Sequence, residues 1–185
     1  MPTIDGAKII ILASDGFEQS ELTEPKKQLE AAGATVHVAT PDGADIKGWD
    51  VTDWGDTVKA DKAIADVDID DYHAMVLPGG QINPDVLRVN EDAVGRIKAF
   101  GDSGKPLAAI CHAPWLLIEA GLVAGKRLTS YKSIRTDLAN AGATAVDEPV
   151  AQDANLITSR NPDDLDAFCQ AIIDAVNSRT QASAA

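Results

Sequence analysis

The arrangement that most restricts the fold is an apolar run near the N-terminus, followed directly by a helical pattern and a second apolar run. Residues 8–13 are almost uninterruptedly apolar and end in Ser-Asp-Gly, which is typical of a strand that is buried on both faces and leads into a loop. Apolar positions then recur at helical spacing over 22–32 and stop at Gly33, before a second strand over 35–39. A strand, helix and strand of this length predict a parallel pair.

The same alternation continues along the chain. Beyond an irregular excursion over 41–61, interpreted as a possible hairpin, the pattern predicts strands over 74–77, 107–110, 127–129 and 155–159, and helices over 91–101, 114–121 and 133–141. A last helix begins with Asn161 as N-cap and Pro162 in the first position, and it carries one apolar stripe. We therefore predict an α/β sandwich.

The length of 185 residues suits one sizeable core and is too short for two ordinary domains. We expect a single domain over 1–185 with its core at about 6–178. The C-terminal tail, 179–185, is small and polar, and we expect it to be disordered.

Charge and cysteine content narrow the function classes. Sixteen basic against 29 acidic residues give a net charge of −13, which disfavours nucleic acid and anionic membrane surfaces as partners. The sequence carries neither a signal-like N-terminus nor a run of membrane-spanning length. Two cysteines far apart argue against a disulfide framework. These features predict a cytoplasmic protein.

The stretch AAICHAPW places Cys111 where a predicted strand turns abruptly into a helix. Such an elbow strains the backbone at the turn and needs small residues two positions away on either side, and Ala109 and Ala113 are small. The helix N-terminus that follows favours a thiolate. The alternative is an inert buried thiol, which is our interpretation of Cys169, because that residue lies on the apolar stripe of the last helix.

A base for this thiol can be sought among three histidines. His37 alternates with valines in a strand and His73 precedes a strand, so a structural role is expected for both. His112 is left, and because no histidine follows it, the usual order of glutamine amidotransferases and α/β-hydrolases is excluded. Without metal-ligand spacing or a nucleotide fingerprint, we expect chemistry that needs no cofactor and no metal.

Two predicted loops at the carboxyl ends of the strands, over 14–20 and 78–85, supply further candidates. Glu18 follows the first strand and is predicted to face the sulfur and move a proton, although it could instead stabilise only a helix dipole. In Pro78-Gly79-Gly80 the glycines predict a close backbone approach to substrate, with the N–H groups of Gly80 and His112 forming an oxyanion hole. The alternative for Gly79 and Gly80 is a plain turn.

Five stretches in this order closely resemble the PfpI-like intracellular peptidases of the ThiJ/PfpI superfamily: DGFEQSEL, LPGGQINPDVLR, AAICHAPWLL, LTSYKSIRTDLANAGA and LITSRNPDDLDAFC. The resemblance implies a flavodoxin-like three-layer sandwich with a mostly parallel sheet and helices on both faces. It implies that Cys111 is the nucleophile, Glu18 the acid at the sulfur and His112 the histidine after the nucleophile. It also implies that Asp85 pairs with the histidine of a neighbouring subunit, in a dimer or a hexamer.

Members of this superfamily are credited with peptidase, cofactor-independent glyoxalase, deglycase and chaperone-like activities. The resemblance therefore implies small carbonyl compounds, glycated protein or peptides as substrates, in stress defence. The alternative is a stress-associated chaperone or a cysteine redox sensor without turnover. For Trp49 and Trp54 we expect an interface or local core more than a substrate platform.

Overall fold

The structure is a computed structural model that describes residues 4–183, with side chains to Arg179. Its strands are β1 Lys8–Leu12, β2 Thr35–Thr40, β3 Ile46–Asp50, β4 Asp53–Val58, β5 Lys62–Ala63, β6 Ala74–Leu77, β7 Leu107–Ile110, β8 Arg127–Leu128, β9 Thr144–Ala145, β10 Val150–Asp153 and β11 Leu156–Ser159. The α-helices are α1 Gln19–Ala31, α2 Ile82–Leu87, α3 Glu91–Asp102, α4 Pro114–Glu119, α5 Arg135–Asn140 and α6 Leu165–Ser183.

Seven strands form the central sheet in the order β10-β11-β7-β6-β1-β2-β5. All neighbouring pairs are parallel except β10 with β11. Because parallel neighbours need a crossover, helices cover both faces. The predicted α/β sandwich with a mostly parallel sheet is confirmed.

Two apolar clusters fill the space between the sheet and its helices. Ile9 and Ile11 point to one face and pack in a cluster with Phe168 of α6, whereas Ile10 and Leu12 point to the other face, in a cluster with Phe100 of α3. Successive side chains of a strand alternate between faces, and these four apolar residues of β1 are fully buried. The apolar run that opened the chain therefore serves both layers.

The excursion over 41–61 contains the suggested hairpin, β3 with β4. The short helix α2 lies where we predicted a loop, and β8 pairs with β9 in a small separate sheet instead of joining the main one. The edge strand β10 was not predicted. Its pattern is weak because, of its four residues, only Ala151 is buried.

The C-terminal end differs from the expectation. Asn161 caps a single 3-10 turn over 162–164, and α6 follows from Leu165. The helix continues to Ser183, where we expected disorder from residue 179; Ala184 and Ala185 lie outside the described residues. Over 4–183, no helix has the length and apolar character needed to cross a membrane.

Candidate active site

The elbow after β7 has the predicted geometry. Cys111 has a φ of 64°, a left-handed conformation that side-chain-bearing residues adopt rarely. Its N–H donates to Ser159 of β11 at 3.1 Å, and its carbonyl accepts from the Tyr131 N–H at 2.8 Å. Ala109 and Ala113, the small flanks, are both fully buried. These bonds hold the strained residue at the carboxyl edge of the sheet, where only 6% of the residue is exposed to solvent.

The carboxyl that contacts the sulfur belongs to Glu21 and not to Glu18, which corrects our prediction. We had taken 14–20 as loop, so that Glu18 was the nearest acid to the strand end. In the structure α1 begins at Gln19, and its first turn brings Glu21, fully buried, over the sheet edge. Glu21 Oε2 accepts from the Gly79 N–H at 2.9 Å, which fixes the carboxyl beside the sulfur.

Glu18 stands in the wall of the site. Its own N–H donates to the Gly79 carbonyl at 3.3 Å, and its carboxylate accepts from the Val51 backbone at the tip of the β3–β4 hairpin. Burial, followed by the nearby charge of Asp50, raises the pKa of Glu18. Glu18 therefore connects the hairpin to the rim of the site, while the sulfur lies against Glu21.

The two glycines have different functions. We predicted a close approach of both glycines to substrate, but the Gly79 N–H donates to Glu21 instead. A Cβ on Gly79 would lie 2.7 Å from the Cys111 Cβ, which explains the need for glycine. Gly80 has a φ of +81°, and its N–H, like that of His112, donates to the Cys111 sulfur. The predicted donor pair of Gly80 and His112 thus meets at one point.

Burial sets the protonation of the acid–thiol pair. It raises the pKa of Glu21 to about 8, so this carboxyl is mostly protonated at neutral pH. Burial also raises the pKa of the Cys111 thiol, and a charged Glu21 raises it further, whereas the Gly80 and His112 amides lower it. Since a protonated Glu21 repels no thiolate and can donate to it, the pair shares its protons as one unit.

The imidazole of His112 lies against the sulfur in the same chain. Its Nδ1 is 3.1 Å from the Cys111 Sγ, and its Nε2 is 3.2 Å from the Ser133 Oγ. The ring stacks on Tyr131, with centroids 4.9 Å apart, and meets Trp115 edge-on at 5.3 Å. Burial lowers the pKa of His112, which favours the neutral imidazole. Sequence reasoning missed these three contact residues.

The remaining candidates lie elsewhere. Asp85 is exposed in the first turn of α2, and no hydrogen bond joins it to His112 within the described chain. His37 Nδ1 lies 3.0 Å from the Tyr72 hydroxyl, and His73 Nδ1 accepts from the Lys8 N–H at 3.0 Å. Cys169 is fully buried in the core. The predicted core position of Cys169 is therefore confirmed, and the contacts of the two histidines agree with a structural role.

A cavity of about 460 Å³ opens above the sulfur. Trp49 lines it, although we expected an interface or core position for this residue, and Trp54 packs edge-on against Trp49 at 5.6 Å. A cavity of this size suits a small molecule or one side chain. Its walls are formed by Gly16, Glu18, Glu21, Trp49, Val51, Gly80, Gln81, Ile82, Cys111, His112, Tyr131 and Pro162.

A parallel α/β sandwich with a strained cysteine elbow, a buried carboxyl at the sulfur and paired N–H donors defines a class of proteins with a reactive cysteine. The DJ-1/PfpI family model matches residues 7–175. The chain belongs to the DJ-1/PfpI family.

Relatives and solved structures agree with this assignment. The chain is 45% identical over 162 residues to "Putative cysteine protease YraA" of Bacillus subtilis, covering 87% of this chain and 93% of that protein. It is 42% identical over 166 residues to "Deglycase TK1284" of Thermococcus kodakarensis, covering 90% and 97%. The crystal structure of Drosophila melanogaster DJ-1beta superposes with a TM-score of 0.84 at 30% identity, covering 93% and 91%.

Proposed function

We propose that this protein is a cysteine-dependent enzyme that converts α-oxoaldehydes, free or added to amino groups of proteins, into hydroxy acids without a cofactor. The observation that carries the proposal is the contact between Cys111 and Glu21, a carboxyl whose pKa of about 8 lets it hold or release a proton near neutral pH. The relative named a deglycase supports the same reaction class.

The first step joins the thiolate to the aldehyde carbon. The thiol proton passes to His112 Nδ1, 3.1 Å from the sulfur, and the sulfur attacks that carbon. The carbonyl π electrons move to oxygen, which takes a proton from Glu21 to give a neutral hemithioacetal. The N–H groups of Gly80 and His112 lie beside the sulfur, where they can donate to the developing oxyanion.

The second step is an internal oxidation and reduction. Glu21, now a carboxylate, removes the proton from the former aldehyde carbon and returns it to the neighbouring carbonyl carbon. His112 moves the hydroxyl proton between the two oxygens. The first carbon becomes a thioester and the second a carbinol, so no external oxidant is needed. Water then cleaves the thioester, releasing the hydroxy acid and the Cys111 thiol. For an amine adduct, the amine leaves as the thiol takes its place.

Peptide hydrolysis is the second candidate, and the distance of 3.1 Å between His112 Nδ1 and the Cys111 sulfur favours it. In that reaction the attack gives a tetrahedral intermediate, and His112 protonates the leaving amine. We expect Asp85 of a neighbouring subunit to support the imidazole there, in a dimer or hexamer. The relative named a cysteine protease supports this candidate.

Replacing the sulfur tests both candidates. We expect Cys111→Ser to abolish turnover of methylglyoxal and of a reporter peptide, because a neutral hydroxyl is a far weaker nucleophile than a thiolate. The matched control is Cys169→Ser, which changes the other cysteine, inside the core. Turnover unchanged in Cys111→Ser would contradict the assignment.

Three further variants separate the candidates. Glu21→Gln should stop methylglyoxal turnover, and Glu18→Gln is its control, since it changes a wall carboxyl that does not contact the sulfur. Asp85→Ala should affect peptide cleavage alone. If Glu21→Gln retains methylglyoxal turnover, the proposed proton transfer is wrong.

A further inference from the structure

We propose that Ser133 is a positioning residue for His112, holding the imidazole so that one chain completes its own line of Cys111, His112 and Ser133. This inference deepens the proposed function and rests on it, because the proposed reaction is the one that His112 assists. It differs from the family expectation, in which the partner of the histidine is a carboxylate of a neighbouring subunit.

The two nitrogens of one ring carry the argument. Nδ1 faces the Cys111 sulfur at 3.1 Å and Nε2 faces the Ser133 hydroxyl at 3.2 Å. A hydroxyl both donates and accepts, so Ser133 satisfies Nε2 whether or not that nitrogen carries the proton. When His112 takes up a second proton, both ring nitrogens carry hydrogen, and the Ser133 oxygen can accept a hydrogen bond from Nε2. Ser133 therefore stabilises the imidazolium and keeps Nδ1 directed at the sulfur.

The position of Ser133 is coupled to the nucleophile through the backbone. The Tyr131 N–H donates to the Cys111 carbonyl at 2.8 Å, and a 3-10 turn over 132–134 follows directly. The Ile134 N–H closes that turn on the Tyr131 carbonyl at 3.1 Å. The hydrogen bond between Tyr131 and Cys111 therefore also fixes the position of Ser133. The ring of Tyr131 stacks on the ring of His112.

Packing does not account for the residue type at this position. Ser133 is exposed, whereas the neighbouring Ile134 supplies the buried side chain of the turn. The Ser133 hydroxyl instead contacts His112 Nε2. Ser133 and Asp85 both line a shallow depression beside His112, on the opposite side of the ring from the sulfur. A neighbouring subunit's Asp85 would have to reach the nitrogen that Ser133 already contacts.

A pair of substitutions of equal shape tests this inference. Ser133→Thr keeps the hydroxyl, and Ser133→Val replaces it with a methyl group that also excludes water. We expect kcat/KM for methylglyoxal to fall about tenfold in Ser133→Val with KM unchanged, and to stay within about threefold of wild type in Ser133→Thr. KM should not change, because Ser133 does not line the cavity above the sulfur, where the substrate would bind.

A second readout does not depend on turnover. The rate of Cys111 alkylation by iodoacetamide is measured against pH, together with the titration of the His112 ring by ¹⁵N NMR. In Ser133→Val the imidazolium loses its acceptor, so His112 should titrate at lower pH than in wild type and Ser133→Thr, and the alkylation profile should move with it.

The outcomes are distinct. Equal pH profiles in all three proteins overturn the inference, and so does an equal loss of rate in both variants, because size and not the hydroxyl would then matter. If wild type turns over no carbonyl substrate, the proposed function fails, while the alkylation and NMR profiles still decide the role of Ser133.

Discussion

At the scale of single residues, Glu21 ties the chemistry of the site to the stability of the fold. Its pKa is raised from 4.5 to about 8 by burial, so between these values the folded chain binds more protons at Glu21 than the unfolded chain. The free energy of unfolding therefore falls as pH rises through this window. We expect wild type to lose on the order of 4 kcal/mol between pH 5 and pH 8 from this group.

Urea unfolding of wild type and Glu21→Gln at both pH values measures this contribution. The amide cannot ionise, so the variant should show a much smaller loss of stability over the same window. A variant that follows the wild-type pH dependence would show that Glu21 does not ionise in this window.

The choice between Glu18 and Glu21 marks the limit of the sequence-based prediction. The strained turn at Cys111 and the place of His112 beside the sulfur were predictable, because small residues flank Cys111 and no other histidine suits the site. The acid depended on where α1 begins. Glu21 shares the buried stripe of that helix with Leu22, Pro25 and Leu29, and an acid on an apolar stripe was the available signal. Nothing in the local sequence pointed to Ser133, which reaches His112 only through the tertiary fold.

At the scale of elements, the turn after β6 holds its amide against the elbow after β7. Alanine at Gly80 would carry a φ of +81°, with its Cβ 2.6 Å from the Glu18 N and the Gly16 carbonyl oxygen. Backbone atoms cannot move aside as side chains do. We expect Gly80→Ala to cost more than about 2 kcal/mol in the free energy of unfolding and to lower kcat, since its N–H donates to the sulfur.

Gly95→Ala is the matched control. Gly95 lies exposed within α3, and a Cβ there meets nothing within 4 Å. Alanine at this position should stabilise the fold by roughly 0.5–1 kcal/mol, because helical alanine loses less conformational entropy than glycine. Urea unfolding of both variants gives the comparison, and equal losses would mean that the contacts around Gly80 are not decisive.

Elements with buried residues were predicted more accurately than elements with exposed residues. Strands β6 and β7 had the predicted bounds, because all four residues of each are buried and read as continuous apolar runs. The short helix α2 was missed since six residues give less than two turns of periodicity. Strand β10 was not predicted because it lies at the sheet edge and most of its residues are partly exposed. Periodicity predicts what faces the core and predicts little at the rim, where the site lies.

At the scale of the whole molecule, the open question is whether one chain or two form the active site. The sulfur, the acid, both N–H donors and an imidazole partner all come from one chain. Asp85 is exposed and would act only on another copy. We therefore expect Asp85→Asn to retain methylglyoxal turnover within about threefold of wild type, at every protein concentration, with the oligomeric state recorded by sedimentation.

Mixing two inactive variants would reveal a shared site if that expectation is wrong. Should Asp85→Asn be inactive, it is mixed in equal amounts with Cys111→Ser and the subunits are allowed to exchange. In a two-fold dimer, half of the dimers would be mixed, and each would hold one site with both Cys111 and a neighbour's Asp85, restoring about a quarter of wild-type activity. Recovery of that size would place Asp85 in the reaction and contradict a self-contained chain. An active Asp85→Asn, combined with the expected fall in kcat/KM in Ser133→Val, would assign the support of His112 to Ser133 of the same chain.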